Sequence, residues 1–200
     1  RSTLYILYNK ARSRETECTN CGYDSLALLS GCPLKKALKK TPLPSFRTFA
    51  DSLISVMETA PVKKIVIDLS KNSGGVSSLA SGLFGRMKSL LKNNPEVKVI
   101  VIIGRRTASA AVIHALELKR QLNAIIIGEA SGSKVNFYGG TDSRTLSGSC
   151  LNLKFSRGYS RNVLNPEDFD KVLMPDVIFE VRFLDKVSGI DPVYEWIKNN

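Results

Sequence analysis

A serine and a lysine 25 residues apart, Ser109 and Lys134, are the residues of this sequence whose types suit covalent chemistry. A hydroxyl is a weak nucleophile until a neighbouring base takes its proton, and a lysine amine is such a base when burial keeps it neutral. Ser109 precedes an expected helix, where free N–H groups and the helix dipole favour developing negative charge. Gly74-Gly75 marks a second turn, in which adjacent glycines can aim backbone N–H groups at a forming oxyanion. Each feature has a plainer reading. Serine at a helix start is commonly an N-cap, lysine in a polar loop is commonly solvated, and a Gly-Gly turn commonly needs only positive φ.

The elements around these residues must bring them together. Val97 to Ile103 is a short, β-branched, unbroken apolar run, the pattern of a strand buried on both faces. Gly104 ends it. A helix is expected over Ala110 to Leu122, then a second buried strand over Ala124 to Ile127, closed by Gly128. Strand, helix, strand at this length implies a right-handed crossover and parallel strands. Their carboxyl ends lie on one edge, so the Ser109 turn and the loop 129–136 should emerge side by side, where open α/β sheets place their sites. Ile65 to Leu69, the Gly74-Gly75 turn and a helix over about Ser77 to Lys92 repeat the unit and bring the glycines to the same edge.

Elsewhere the chain reads in order as a strand at Thr3 to Tyr8, then a basic, proline-rich stretch over about 9–44 with a short helix at Leu26–Leu29. A helix capped by Ser45 follows, with Phe46, Phe49, Leu53 and Val56 as its apolar stripe. Arg144 to Leu146 and Cys150 to Phe155 flank Ser147-Gly-Ser149 as a hairpin, 156–171 is loop, a strand runs from Val177 to Val181, and a last helix from about Pro192 to Lys198. With 200 residues, 43% of them hydrophobic, the default is one domain with a full core. The first residues already read as a strand, so the chain is expected to be a piece of a longer one.

The formal charge of +11 suggests anionic partners in general. Its densest patch, Lys35, Lys36, Lys39 and Lys40, has no interleaved aromatics or glycines, so a solvated basic surface is expected and nucleic-acid binding is not. No stretch approaches the ~20 apolar residues of a membrane span. Cys18 and Cys21 form half of a zinc knuckle, but only Cys32 and the distant Cys150 remain to complete it. Structural zinc, unpaired thiols and an incidental disulfide all stay open.

Four segments, in order and at fitting spacing, resemble the C-terminal processing, or tail-specific, serine peptidases (serine peptidase family forty-one). Ile65-Val-Ile-Asp-Leu-Ser-Lys-Asn-Ser-Gly-Gly75 resembles their D-L-R-x-N-x-G-G segment, and Thr107-Ala-Ser-Ala-Ala111 their nucleophile turn. Gly128-Glu-Ala-Ser-Gly-Ser-Lys134 resembles the G-E-x-x-x-G-K lysine loop, and Met174-Pro-Asp-Val177 the P-D strand. Gly189-Ile-Asp-Pro192 and Asn136-Phe-Tyr-Gly139 are similar to a clostridial-type branch. The departures are Ser70 for the usual arginine, Ser133 for the glycine before the lysine, and Arg120 where some relatives carry an acidic residue.

The resemblance, over about residues 60–199, implies a crotonase/ClpP-like α/β core: a mostly parallel buried sheet flanked by helices, plus a β-hairpin. It implies Ser109 as nucleophile, Lys134 as general base, and an oxyanion hole from the N–H groups of Ala110 and of Gly74 or Gly75. Glu129 could orient Lys134, or form an ordinary ion pair. Arg105 and Arg106 could keep Lys134 uncharged, receive a substrate carboxylate, or simply be solvated. His114 lies five residues into the helix and points the wrong way to meet Ser109. The implied partner is a polypeptide, with no metal or cofactor and no assigned oligomeric state. The implied location is the secreted or cell-envelope space of a bacterium. The competing readings are a non-catalytic ligand- or peptide-binding domain on the same fold, acyl-CoA chemistry, and a basic interaction protein.

Overall fold

The computed structural model describes residues 3–16, 44–180 and 182–200. The expected helix at Leu26–Leu29, the Lys35–Lys40 patch, Cys18, Cys21 and Cys32 lie outside the described residues. Five parallel strands form the central sheet: β1 (Thr3–Leu7), β2 (Lys64–Asp68), β3 (Lys98–Ile103), β4 (Ile125–Gly128) and β7 (Val177–Ile178), in the order β1-β2-β3-β4-β7. Register is fixed by the apolar runs, with Ile65 opposite Val99 and Ile100 opposite Ile125. Ile65, Val66, Val101, Ile126 and Ile127 have no exposed surface, which is why these strands carry apolar residues on both faces.

Helices α1 (Phe46–Thr59), α2 (Ser81–Leu91) and α3 (Ala110–Leu122) cover one face, packing Leu53, Phe84, Met87, Ala115 and Leu118 against Ile65, Val101 and Ile126. The other face, Val66, Ile100, Ile102 and Ile127, is covered by the last helix, α5 (Pro192–Asn199), through Val193, Trp196 and Ile197. Fully burying one such aliphatic side chain is worth about 1.5–3 kcal/mol. The crossovers between β2, β3 and β4 therefore all lie on one face, and the loops after these strands share one edge.

Several boundaries differ from the sequence reading. In α1 the buried residues are Ala50, Leu53 and Ile54, while Phe49 and Val56 are 43% and 42% exposed. The inward stripe follows 46, 50, 53, 54 and 57, one residue round from the expected one. Ser45 does cap this helix, its Oγ accepting from the Thr48 N–H at 3.3 Å. The Phe46 N–H donates to Glu15 at 3.0 Å. Burial pushes the Glu15 carboxyl up, but hydrogen bonds from the Ser45 hydroxyl and the Phe46 N–H outweigh it and bring it down to about 2.

A short 3₁₀ turn, Ser77–Leu79, replaces the first turn expected of α2. The hairpin is longer than expected, with β5 (Phe137–Thr145) and β6 (Asn152–Ser160) paired from Phe137 opposite Ser160 to Thr145 opposite Asn152. β7 is shorter, because its partner β4 ends at Gly128, whose carbonyl accepts the Phe179 N–H at 2.9 Å. A short helix, α4 (Phe183–Val187), follows, where the sequence shows no helical pattern. Among the described residues no helix is long and apolar enough to cross a membrane.

Candidate active site

Three turns meet on the carboxyl edge: residues 69–76 after β2, 104–109 after β3 and 129–134 after β4. Their backbones are tied by buried hydrogen bonds. The Thr107 hydroxyl donates to Leu69 O at 2.8 Å and accepts the Gly104 N–H at 2.9 Å. The Ala108 N–H donates to Asn72 O at 3.1 Å, and the Gly132 N–H to Thr107 O at 2.8 Å. Asn72, fully buried, accepts the Gly74 N–H at 2.9 Å and donates to Tyr8 O at 2.7 Å.

At the centre stands Ser109, at the start of α3 with φ 54° and ψ −125° and with no capping hydrogen bond from its side chain. A non-glycine residue in such a conformation costs on the order of 1–3 kcal/mol and persists only where its surroundings over-determine it. The plain N-cap reading is thereby removed. The serine is strained, half-buried, and its hydroxyl has no partner among the described residues. A strained serine between a strand and a helix is the geometry that projects a nucleophile above a sheet edge.

Gly74 (φ 99°) packs directly on it. A Cβ there would fall 2.8 Å from both Ala108 O and Ser109 Cβ and 3.1 Å from Ala110 N. Because the Gly74 N–H is held by Asn72, this glycine contributes space beside the serine. The Gly75 and Ala110 N–H groups have no partner among the described residues. Gly75 is fixed from behind by Ala11, whose N–H donates to Gly74 O at 3.1 Å and whose carbonyl accepts the Val76 N–H at 2.8 Å.

The lysine loop reaches the serine through a different residue. The Ser109 N–H donates to Ser133 Oγ at 3.1 Å. Lys134 Nζ instead lies 2.6 Å from Asp170 Oδ1, with its side chain 54% exposed, and no hydrogen bond joins it to Ser109. Glu129 and Arg105 pair with each other at 3.0 Å, and Arg106 is exposed without a partner among the described residues. Arg120 is bonded to the carbonyl of Asn162.

His114 is fully buried on α3, with Nε2 2.7 Å from Ser77 O, stacked on Tyr8 (centroids 5.7 Å apart) and edge-on to Phe84. Since that carbonyl only accepts, Nε2 carries the hydrogen. Nδ1 is left without a partner, and burial holds the imidazole below its ordinary pKa. Its role is support: it braces Tyr8, whose carbonyl holds Asn72. Cys150 is exposed at the hairpin tip and unpaired among the described residues. Among the described residues no cluster of three or more His, Cys, Asp or Glu could hold a metal ion.

Four residues here were not singled out from the sequence as site residues. Asn72 lies inside the Ile65–Gly75 segment, where a polar residue in a turn expected to be buried is the signal it offers. Ser133 was visible only as a departure. Thr107 opens the segment that resembles the nucleophile turn, but its bonds to distant backbone are not legible there, and Asp170, 36 residues from Lys134, gave no signal.

The model of peptidase family S41 matches residues 84–177. No curated protein matches the chain. Among solved structures, mature CPAF complexed with lactacystin is similar over 98% of this chain and 52% of its own (11% identity, TM-score 0.55). The tricorn protease is similar over 98% of this chain and 17% of its own (16% identity, TM-score 0.53). A candidate peptidase from Parabacteroides merdae is similar over 75% of this chain and 56% of its own (16% identity, TM-score 0.53). The chain thus spans less than two thirds of each of these proteins, and at such identities the likeness is one of fold.

Proposed function

We propose, from the match of residues 84–177 to the model of peptidase family S41, that the chain carries the catalytic centre of a serine peptidase acting on unfolded or C-terminal polypeptide segments. The observation that carries this reading is the strained, uncapped Ser109 packed against Gly74. In the proposed reaction the Ser109 hydroxyl attacks the peptide carbonyl while its proton passes to the free amine of Lys134. The oxygen that gains charge faces the Ala110 and Gly75 N–H groups. The C–N bond then breaks, the amine leaves with the proton from Lys134, and water hydrolyses the acyl-serine by the same route. Neither metal nor cofactor takes part. For Lys134 to serve, its four-carbon stem must swing from Asp170 to Ser109, a rotamer change open to an exposed side chain. A secreted or envelope location belongs to the same reading.

Degradation of casein between pH 6 and 10 tests it. Ser109→Ala should lower the rate by about 10³-fold or more, and Lys134→Ala should do the same if the amine is the base. Loss in Ser109→Ala alone keeps the peptidase and removes the base. The resting Lys134–Asp170 pair favours a second reading, a peptide-binding domain without turnover. Absence of cleavage by the wild type would select it.

A further inference from the structure

The φ and ψ of Ser109 are those of the first inner position of a type II′ turn, and the Ala111 N–H donates to Ala108 O at 3.1 Å across it. Glycine suits that position, so a serine in it must be held from outside. One hold is the 69–76 turn, where Asn72 O accepts the Ala108 N–H. The other is a side chain: Ser133 Oγ, half-buried, accepts the N–H of Ser109 itself at 3.1 Å. The loop that presents it is pinned along its length. The Gly132 N–H donates to Thr107 O at 2.8 Å, and a Cβ at Gly132 would fall 2.0 Å from Arg105 O. The buried Ser131 hydroxyl donates to Ser133 O at 2.7 Å and accepts the Leu173 N–H at 2.8 Å, while the Val135 N–H donates to Lys171 O at 2.9 Å. Neighbouring side chains then reach different partners, Ser133 the Ser109 amide and Lys134 the carboxylate of Asp170, as successive residues of an extended segment do; Lys134 bridges antiparallel to Val172. The motif that this loop resembles has glycine in place of Ser133, so the bond belongs to this chain and not to the motif.

We propose that Ser133 is a positioning residue for the nucleophile. By accepting the Ser109 N–H, its Oγ fixes the strained backbone from which the Ser109 hydroxyl projects, and it withholds that N–H from the oxyanion, which is left to the amides of other residues. The proposal rests on the peptidase reading for its effect on rate, but not for the hydrogen bond. Without the Ser133 oxygen the peptide plane before Ser109 loses one of its two holds and can turn toward unstrained backbone. The loss falls on the attack by Ser109 and not on capture of the polypeptide, so it is read in kcat and not in KM.

Hydrogen exchange of the Ser109 amide, followed by NMR on the full chain with isotope-labelled serine, tests the bond without any reaction. Ser133→Ala should speed that exchange about 10-fold, and Ser133→Thr, which keeps the oxygen, should restore the wild-type rate. Casein cleavage is the second readout. Ser133→Ala should lower kcat about 10-fold with KM unchanged, and Ser133→Thr should recover it. Ser133→Gly, a second variant without the hydroxyl, should repeat the alanine result, and Ser143→Ala, which removes an exposed hydroxyl from the hairpin, should change nothing. Unchanged exchange of the Ser109 amide in Ser133→Ala overturns the bond. Faster exchange with kcat unmoved, or a change confined to KM, overturns the positioning role. Where the wild type cleaves no casein, the peptidase reading fails on its own, and reaction of Ser109 with a fluorophosphonate scores the proposal instead. Labelling about 10-fold slower in Ser133→Ala supports it; equal labelling, or none of the wild type, overturns it.

Discussion

The turns around Ser109 and the β5–β6 hairpin both follow the parallel strands at the same sheet edge, yet they are built on opposite principles. Around Ser109 the turns are tied to distant backbone by side chains, the buried Thr107 to Leu69 and Asn72 to Tyr8 and Gly74, and the half-buried Ser133 to Ser109. The hairpin is held by its own ladder. Register puts Tyr138, Tyr159, Phe155 and Leu153 on one of its faces, and all four are exposed. Its one positive-φ non-glycine residue, Cys150, lies in the terminal turn, which closes through a 2.8 Å bond to Leu146 O. Strain is thus present in both places, but only at Ser109 is it held by groups distant in sequence. Backbone strain can serve chemistry only where it cannot relax.

The same substitution in the two regions gives the largest expected contrast. An alanine at Gly75 (φ 146°) would place its Cβ 2.1 Å from the Ala11 carbonyl oxygen, whereas at Gly158 in the hairpin nothing lies within 4 Å. Gly75→Ala must move β1's following loop, lose the donor geometry, and cost about 3 kcal/mol or more. Gly158→Ala should stay within about 0.5 kcal/mol. Urea midpoints, with casein cleavage as a second readout, check both. Equal effects would mean that the site is no more constrained than the hairpin.

A comparable effect is expected from Asn72→Ala, which deletes one side chain but orphans two backbone groups, the Gly74 N–H and the Tyr8 carbonyl. Each buried group left unpaired costs about 1–3 kcal/mol. The freed Gly74 should also let Ser109 relax, so kcat should fall more than KM changes. Asn152→Ala, at the exposed end of the hairpin, serves as the matched control and should change neither quantity.

Much of this was readable from residue types. The unbroken runs at 97–103 and 124–127 fixed the parallel strands because only burial on both faces suits them, and α3 begins and ends where Ser109 and Asn123 put positive φ. The shared edge for Ser109, Gly74-Gly75 and the 129–134 loop followed from strand direction alone. Side-chain partnership did not follow. Whether Lys134 meets Ser109 or Asp170 depends on rotamers and on a segment 36 residues further on, and periodicity contains neither. The same holds for the face of α1, where Phe49 and Ile54 compete for burial and the neighbouring strands decide.

The chain's sole histidine gives the finest test of the contrast, since it braces the site and the hairpin has no counterpart. His114 is neutral when folded, with its hydrogen on Nε2 and its Nδ1 facing no acceptor, and burial lowers its pKa from the ordinary 6.5. The unfolded chain therefore binds a proton that the folded one refuses. Stability from this source is present above about pH 6.5 and is lost as the pH falls below it toward the lowered folded value. His114→Gln keeps a donor for the Ser77 carbonyl but cannot titrate. Its urea midpoint should be lower than wild type at pH 7.5 through lost stacking on Tyr8, yet should fall less between pH 7.5 and 5. Parallel curves for the two proteins would show that the acid sensitivity lies elsewhere, and an unchanged midpoint at pH 7.5 would remove His114 from the bracing of Tyr8 and Asn72.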